Sequence, residues 1–352
     1  MTDWTLAPCT TTVAALTEIS PARRAALRDG PDDTASFRAA MANTPALREV
    51  EIGGAAAQTA ARDTLRVVAW NVERLRPLDA IAHTLRDARA DVALLTEIDK
   101  GMARTGNTHR TSELAAALGQ SYAYGAEFVE LDRGTSSERT AAGEAQNALG
   151  FHGNAIVSRL TLQRPALFRL EAEGTWFGWA RDEPRLGGRL AIGGQVRLND
   201  TPVTVIGLHL ESHSDPAHRA GQVARLLDLL ALYDPDAPVL IGGDFNTSTY
   251  GRTIHGFRDA QPGDDPLRRL RPQPFEPLFD LFERHGFDWR AANVPDAPTQ
   301  RFAEGSTRPL GKIDWIFSRG LTATSPAVLP AVQGDSTPSS DHEALFVEFA
   351  LP

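Results

Sequence analysis

Eight polar residues stand at the ends of apolar runs or inside them. They are Asn71 in WNVE, Glu97 in LLTEID, His209 in GLHLES, Asp244 and Asn246 in GGDFN, Asp314 in KIDWIF, and Asp341 and His342 in SSDH. A buried carboxylate is costly unless it is paired or bound to a cation. One or two such groups would be ordinary caps or hydrogen-bonding residues, but this many at strand ends points to convergence on one site. In extended chain, residues i and i+2 share a face, so Asp244 and Asn246 project together while Phe245 packs behind. A carboxylate able to take a proton from water, beside an amide able to donate to a phosphoryl oxygen, suits hydrolysis. An isolated G-D-x-N is more often an Asx-turn that closes a strand, so the set matters more than any member. Asp341 and His342 are neighbours and can serve one site only from a loop ahead of Ala344.

The elements that must carry these residues alternate between strand-like and helix-like patterns from Leu65 onward. Strands are predicted at 65–72, 91–98, 123–129, 154–158, 162–170, 189–198, 203–210, 239–245, 313–318 and 344–349, and helices at 78–89, 111–118, 216–232 and 277–284. The runs 189–198 and 203–210, joined by a turn at Asn199-Asp200, read as a hairpin, so the sheets are mixed. So many strands exceed what one twisted sheet commonly holds, which favours two packed sheets with helices outside. Arg133–Gly150 and Thr247–Gln273 read as long loops. Residues 1–63 read as a helical N-terminal extension packed on the main domain, with helices at 21–28 and 35–41; residues 64–352 read as the catalytic domain.

Taken in order, WNVE, LLTEID, GNAIVSR at 153–159, GLHLES, GGDFN, KIDWIF and SSDH resemble the endonuclease/exonuclease/phosphatase superfamily over roughly residues 65–350. The resemblance implies a four-layer αββα sandwich, an α/β fold of two mixed sheets flanked by helices. It implies that Glu97 is the principal metal ligand, with Asn71 close by and Asp341 a ligand or its neighbour. Asp244 would position or deprotonate the attacking water, and Asn246 would bind the developing phosphorane. His342 would contact the scissile phosphate with its ring oriented by Asp314, and His209 would make a second phosphate contact. Glu73 matches an acidic position of the abasic-site enzymes. Asn154, a motif residue, and His213, in a run similar to the histidine motif of the sphingomyelinase and inositol-phosphatase branches, are candidate substrate contacts. His152, His255 and Arg110 are further candidates for the cleft wall. Trp176 and Trp179 are either core or an exposed contact patch. Thr96 departs from the family pattern, which commonly has glutamine there.

The chemistry agrees with the resemblance. Phosphodiesters are anionic and repel hydroxide, so a hard cation with oxygen ligands is required. Carboxylate and amide donors without thiolates favour Mg²⁺ or Mn²⁺. The formal net charge of −9, with no block of lysines and arginines, counts against avid binding to nucleic acid. The favoured substrate is therefore a small-molecule or lipid-derived phosphate ester, with a nuclease acting on DNA or RNA as the alternative. A non-catalytic binding module would be expected to have lost some of these residues. The single cysteine, Cys9, cannot form an internal disulfide or a thiolate metal site. With no basic start followed by an apolar run and no apolar stretch long enough to span a bilayer, a cytoplasmic location is expected.

Overall fold

The computed structural model describes the chain apart from residues 1–5, 179–182, 248–251, 254–255, 258–266, 303–309 and 333–336. The first half runs through β1 (Thr11–Val13), α1 (Pro21–Arg28), α2 (Thr34–Ala42), β2 (Glu49–Gly54), β3 (Leu65–Arg74), α3 (Leu78–Asp87), β4 (Val92–Lys100) and α4 (Arg110–Leu118). It continues with β5 (Ser121–Glu130), α5 (Ser136–Ala142), β6 (Phe151–Ser158), β7 (Gln163–Arg169), α6 (Thr175–Gly178) and β8 (Arg185–Gly187). The second half holds β9 (Leu190–Leu198), β10 (Thr201–His209), α7 (Pro216–Tyr233), β11 (Val239–Asp244), β12 (Arg252–Thr253) and β13 (Gly256–Phe257). It ends with α8 (Leu267–Leu270), α9 (Leu278–Arg284), β14 (Asp314–Arg319), β15 (Thr322–Leu329) and β16 (Ala344–Ala350).

Two mixed sheets result. The larger has nine strands in the order β1-β2-β5-β6-β4-β3-β16-β15, with β8 added beside β5; the smaller has five in the order β14-β11-β10-β9-β7. Alternation along each strand divides the apolar residues among three cores. In β3, Val67 and Ala69 face the other sheet while Val68 and Trp70 face the helices. Leu94, Ile156, Ile192, Val205, Leu240 and Ile316 fill the space between the sheets. Ile206, Leu208, Ile241 and Phe317 face outward and are covered by Leu226 and Leu230 of α7 and Phe279 and Phe282 of α9. The layers are therefore helix, sheet, sheet and helix, as the resemblance implied.

The expected hairpin is present, with β9 and β10 antiparallel and Asn199 at φ 53° in the turn. The reading of 133–150 as loop is corrected: it contains α5, whose capping box uses Thr135 and Glu138. Much of 247–273, including His255, lies outside the described residues, as does Trp179. The helices expected near 21–28 and 35–41 form, but the N-terminal segment also supplies β1 and β2, and β2 pairs antiparallel with β5.

Candidate active site

The strand period that sorts the core also aims the polar residues. Counting by twos from the inter-sheet residues of β3, β10, β11 and β14 brings Asn71, His209, Asp244 and Asp314 onto the inner faces at one open end of the sandwich. Register then sets them side by side, with His209 paired to Asp244 and Asp244 paired to Asp314 across three neighbouring strands. Close approach of the sheets beneath them depends on glycine. A Cβ on Gly242 would lie 3.1 Å from Ala69 Cβ in the facing sheet, while one on Gly243 would fall 2.1 Å from Leu208 O of the neighbouring strand in its own sheet.

Glu97 reaches the same end by a different device. The pairing of β4 with β6 is irregular between Leu95 and Ile98, and Glu97 has φ 59°. A bulge of this kind re-aims a side chain that regular alternation would send to the other face. Asn71 Nδ2 donates to Glu97 Oε1 and to Asp244 Oδ2, both at 3.1 Å, and so bridges the two sheets. Asp244 Oδ1 accepts from Asn246 N at 2.8 Å, while Asn246 Nδ2 donates to Leu210 O at 3.0 Å. Arg74 Nη1 donates to Glu97 Oε2. Burial pushes the Glu97 carboxyl up, but Arg74, His209 and His152 outweigh it and hold the group well below the usual carboxylate range.

Two acid–histidine pairs flank Asp244. His342 Nδ1 lies 2.9 Å from Asp314 Oδ2, which leaves Nε2 facing Asp244 Oδ2 at 3.8 Å. His209 Nδ1 lies 3.3 Å from Glu127 Oε2, and its Nε2 is 3.5 Å from the same Asp244 oxygen. Burial lowers the His342 pKa, yet Asp314, Asp244 and Asp341 raise it well above the ordinary imidazole value. The loop carrying His342 is fastened to β3: Ser340 Oγ donates to Asn71 O at 2.6 Å, and Trp70 Nε1 donates to His342 O at 2.9 Å. Asp341 has a largely exposed side chain, with Oδ1 4.0 Å from His342 Nε2.

Glu127 and Arg189 were not among the residues expected from sequence. Glu127 stands in the apolar run AEFVE, the same signal that marks Glu97. Arg189 is buried, with Nη1 2.9 Å from His209 Nδ1 and 3.2 Å from Glu127 Oε1, and Nε 3.2 Å from Glu211 Oε2. Such pairings across separate strands leave no mark in a single sequence.

The other expected residues are placed differently. Asn154 is fully buried in β6, and its Nδ2 donates to Leu190 O at 3.2 Å, a bond between the sheets. His213 is half-exposed, with its ring edge-on to Trp176 at 5.0 Å. Trp176 is core and donates Nε1 to Glu211 at 2.7 Å. His152 is buried on Asp99 at 2.8 Å, and Arg110 binds Leu75 O at 3.0 Å. Glu73 is half-buried, and burial together with Asp341 raises its carboxyl pKa.

The donor set suits a divalent cation. Asp244, Asp314 and His342 bring ligand atoms within 4.8 Å of one another, a group distinct from the expected ligands Asn71, Glu97 and Asp341. The Asn71 bridge places the Glu97 carboxylate beside that group. These are oxygen and imidazole donors, with no thiolate among them.

Solved structures share this architecture. A protein described as endonuclease/exonuclease/phosphatase from Beutenbergia cavernae is 19% identical, with 82% of this chain and 72% of that one covered at a TM-score of 0.53. A conserved protein of unknown function from Enterococcus faecalis is 17% identical, covering 82% and 100% at 0.54. The human Nocturnin catalytic domain with bound sulfate is 16% identical, covering 86% and 97% at 0.52. No curated protein matches the chain in sequence. The Endonuclease/Exonuclease/phosphatase family model matches residues 68–342, a span that runs from inside β3 to His342 and takes in both sheets' contributions to the site. The chain belongs to the endonuclease/exonuclease/phosphatase family.

Proposed function

We propose that the protein is a divalent-metal-dependent phosphoesterase whose substrate is a small-molecule or lipid-derived phosphodiester or monoester. The observation that carries this is the convergence on Asp244 of one bridging amide and two acid–histidine pairs. Glu97 and Asn71, with Asp341 beside them, would hold Mg²⁺ or Mn²⁺, which when bound neutralises the negative charge of the ester. Asp244 takes the proton of the attacking water. Its Oδ1 is fixed by Asn246 N and its Oδ2 by Asn71, so its orientation is set before substrate arrives. His342, kept protonated by its three carboxylate neighbours, offers an N–H to a phosphoryl oxygen, and Asp314 holds the ring through Nδ1. His209 and Asn246 supply further donors around the developing phosphorane. Asn154 serves by holding the sheets together, and the half-exposed His213 is a candidate substrate contact.

The reading is tested with bis-(p-nitrophenyl) phosphate, p-nitrophenyl phosphate and plasmid DNA, each with Mg²⁺, Mn²⁺ or EDTA. Wild type is expected to cleave an aryl phosphate, with loss in EDTA and in His342→Ala. Preferential nicking of the plasmid would replace the small-molecule reading with a nuclease. Metal-independent turnover, or a fully active His342→Ala, would overturn the assignment.

A further inference from the structure

The backbone just after Asn71 is unusual. Glu73, Arg74 and Leu75 have φ of 41°, 68° and 55°, three consecutive non-glycine residues in a region unfavourable to L-amino acids. Local bonds hold this run: Leu75 N donates to Val72 O at 2.7 Å, and Arg110 Nε donates to Leu75 O at 3.0 Å. Its result is to swing Arg74 back against β4, where Nη1 meets Glu97 Oε2 and Nε meets Glu138 Oε1 at 3.1 Å. Glu97 therefore has one oxygen on Asn71 and the other on a guanidinium. A guanidinium cannot shed its proton to escape a neighbouring cation. Glu138, also bound by Arg104 at 3.0 Å and Arg76 at 3.2 Å, offers Arg74 a second carboxylate already within reach.

We propose that Arg74 is a built-in counter-cation to Glu97: it competes with the divalent ion for that carboxylate, weakens the ion's binding, and passes to Glu138 when the ion binds. The inference rests on Glu97 being a metal ligand, as argued above. Two positive charges a few ångströms apart repel appreciably in a partly buried site. The repulsion is relieved only if Arg74 shifts toward α5, so the ion and the 133–150 segment become linked.

The test is direct Mn²⁺ binding, read from the paramagnetic resonance of the free aquo ion, on wild type, Arg74→Met, Glu138→Gln and Glu97→Gln, with folding checked by circular dichroism. Arg74→Met is expected to bind Mn²⁺ roughly tenfold or more tightly, a change of about 1.4 kcal/mol or more. Glu138→Gln, which leaves Arg74 with Glu97 alone, is expected to bind more weakly. These opposite signs keep the test decisive even if one variant fails to fold. If wild type binds, Glu97→Gln does not, and Arg74→Met binds no more tightly than wild type, the counter-cation role falls while the metal assignment stands. If Glu97→Gln binds Mn²⁺ as wild type does, or neither binds, the metal assignment at Glu97 falls and takes this inference with it.

Discussion

Asp244 is touched by residues from both sheets, so its loss should be the most damaging single change. Asp244→Asn and His342→Ala are each expected to lower kcat by about 10²- to 10⁴-fold, measured on the aryl phosphate that wild type prefers, with little change in Tm. Glu127→Gln should be milder: it leaves His209 in place but loosens its ring, so its rate should fall between those of wild type and His209→Ala. The polar residues that alternation brings together were legible because each interrupts an apolar run, where burial makes an unpartnered charge costly. Arg74 and Arg189 were not legible. Each sits among other charged or small residues, and only the folded chain shows which carboxylates they meet.

At the scale of elements, the strands of the inner layers were readable because continuous apolar runs such as LRVVAWNV are buried on both faces. The β15 strand was missed because its residues are mostly exposed or half-buried, so no period of two is imposed on it. The segment ahead of β14 presents a separate problem. Lys312 is fully buried, its Nζ has no hydrogen-bond partner among the described residues and sits 4.8 Å from the Trp315 ring centroid, and burial pulls its pKa down to about 8. An ammonium so placed opposes folding. Lys312→Met is expected to raise Tm, by about 1–3 °C for each kcal/mol relieved in a chain of this size; a lower Tm would show that the contact with Trp315 outweighs the desolvation.

At the scale of the whole molecule, the N-terminal segment is sewn into the larger sheet. Glu51 of β2 is bound by Lys100 of β4 and His109 at the head of α4, while Arg24 of α1 donates to Leu149 O at 2.7 Å and Asn147 O at 2.7 Å. Deleting residues 1–54 should therefore bare the edge of β5, lower Tm and promote aggregation, as seen by light scattering during a thermal ramp. Acid should act on the same framework. Burial raises the carboxyls of Glu51, Glu138 and Glu211, but their cationic and hydrogen-bonding neighbours hold each to about 2, against 4.5 in the unfolded chain. Their contribution is complete above pH 4.5 and is lost as the pH falls toward 2, so urea midpoints should drop across that window and Glu51→Gln should flatten the drop. The hydrogen bond from Asn71 to Asp244 has a wider consequence, because its two ends belong to different sheets. Catalytic alignment is then a gauge of the spacing between two slabs, set by Gly242, where an added Cβ would meet Ala69 and Leu94 of the facing sheet at 3.1 and 3.3 Å. A single added methyl at that shim, in Gly242→Ala, would prise the slabs apart by a few tenths of an ångström and detune the chemistry well before the molecule lost its fold.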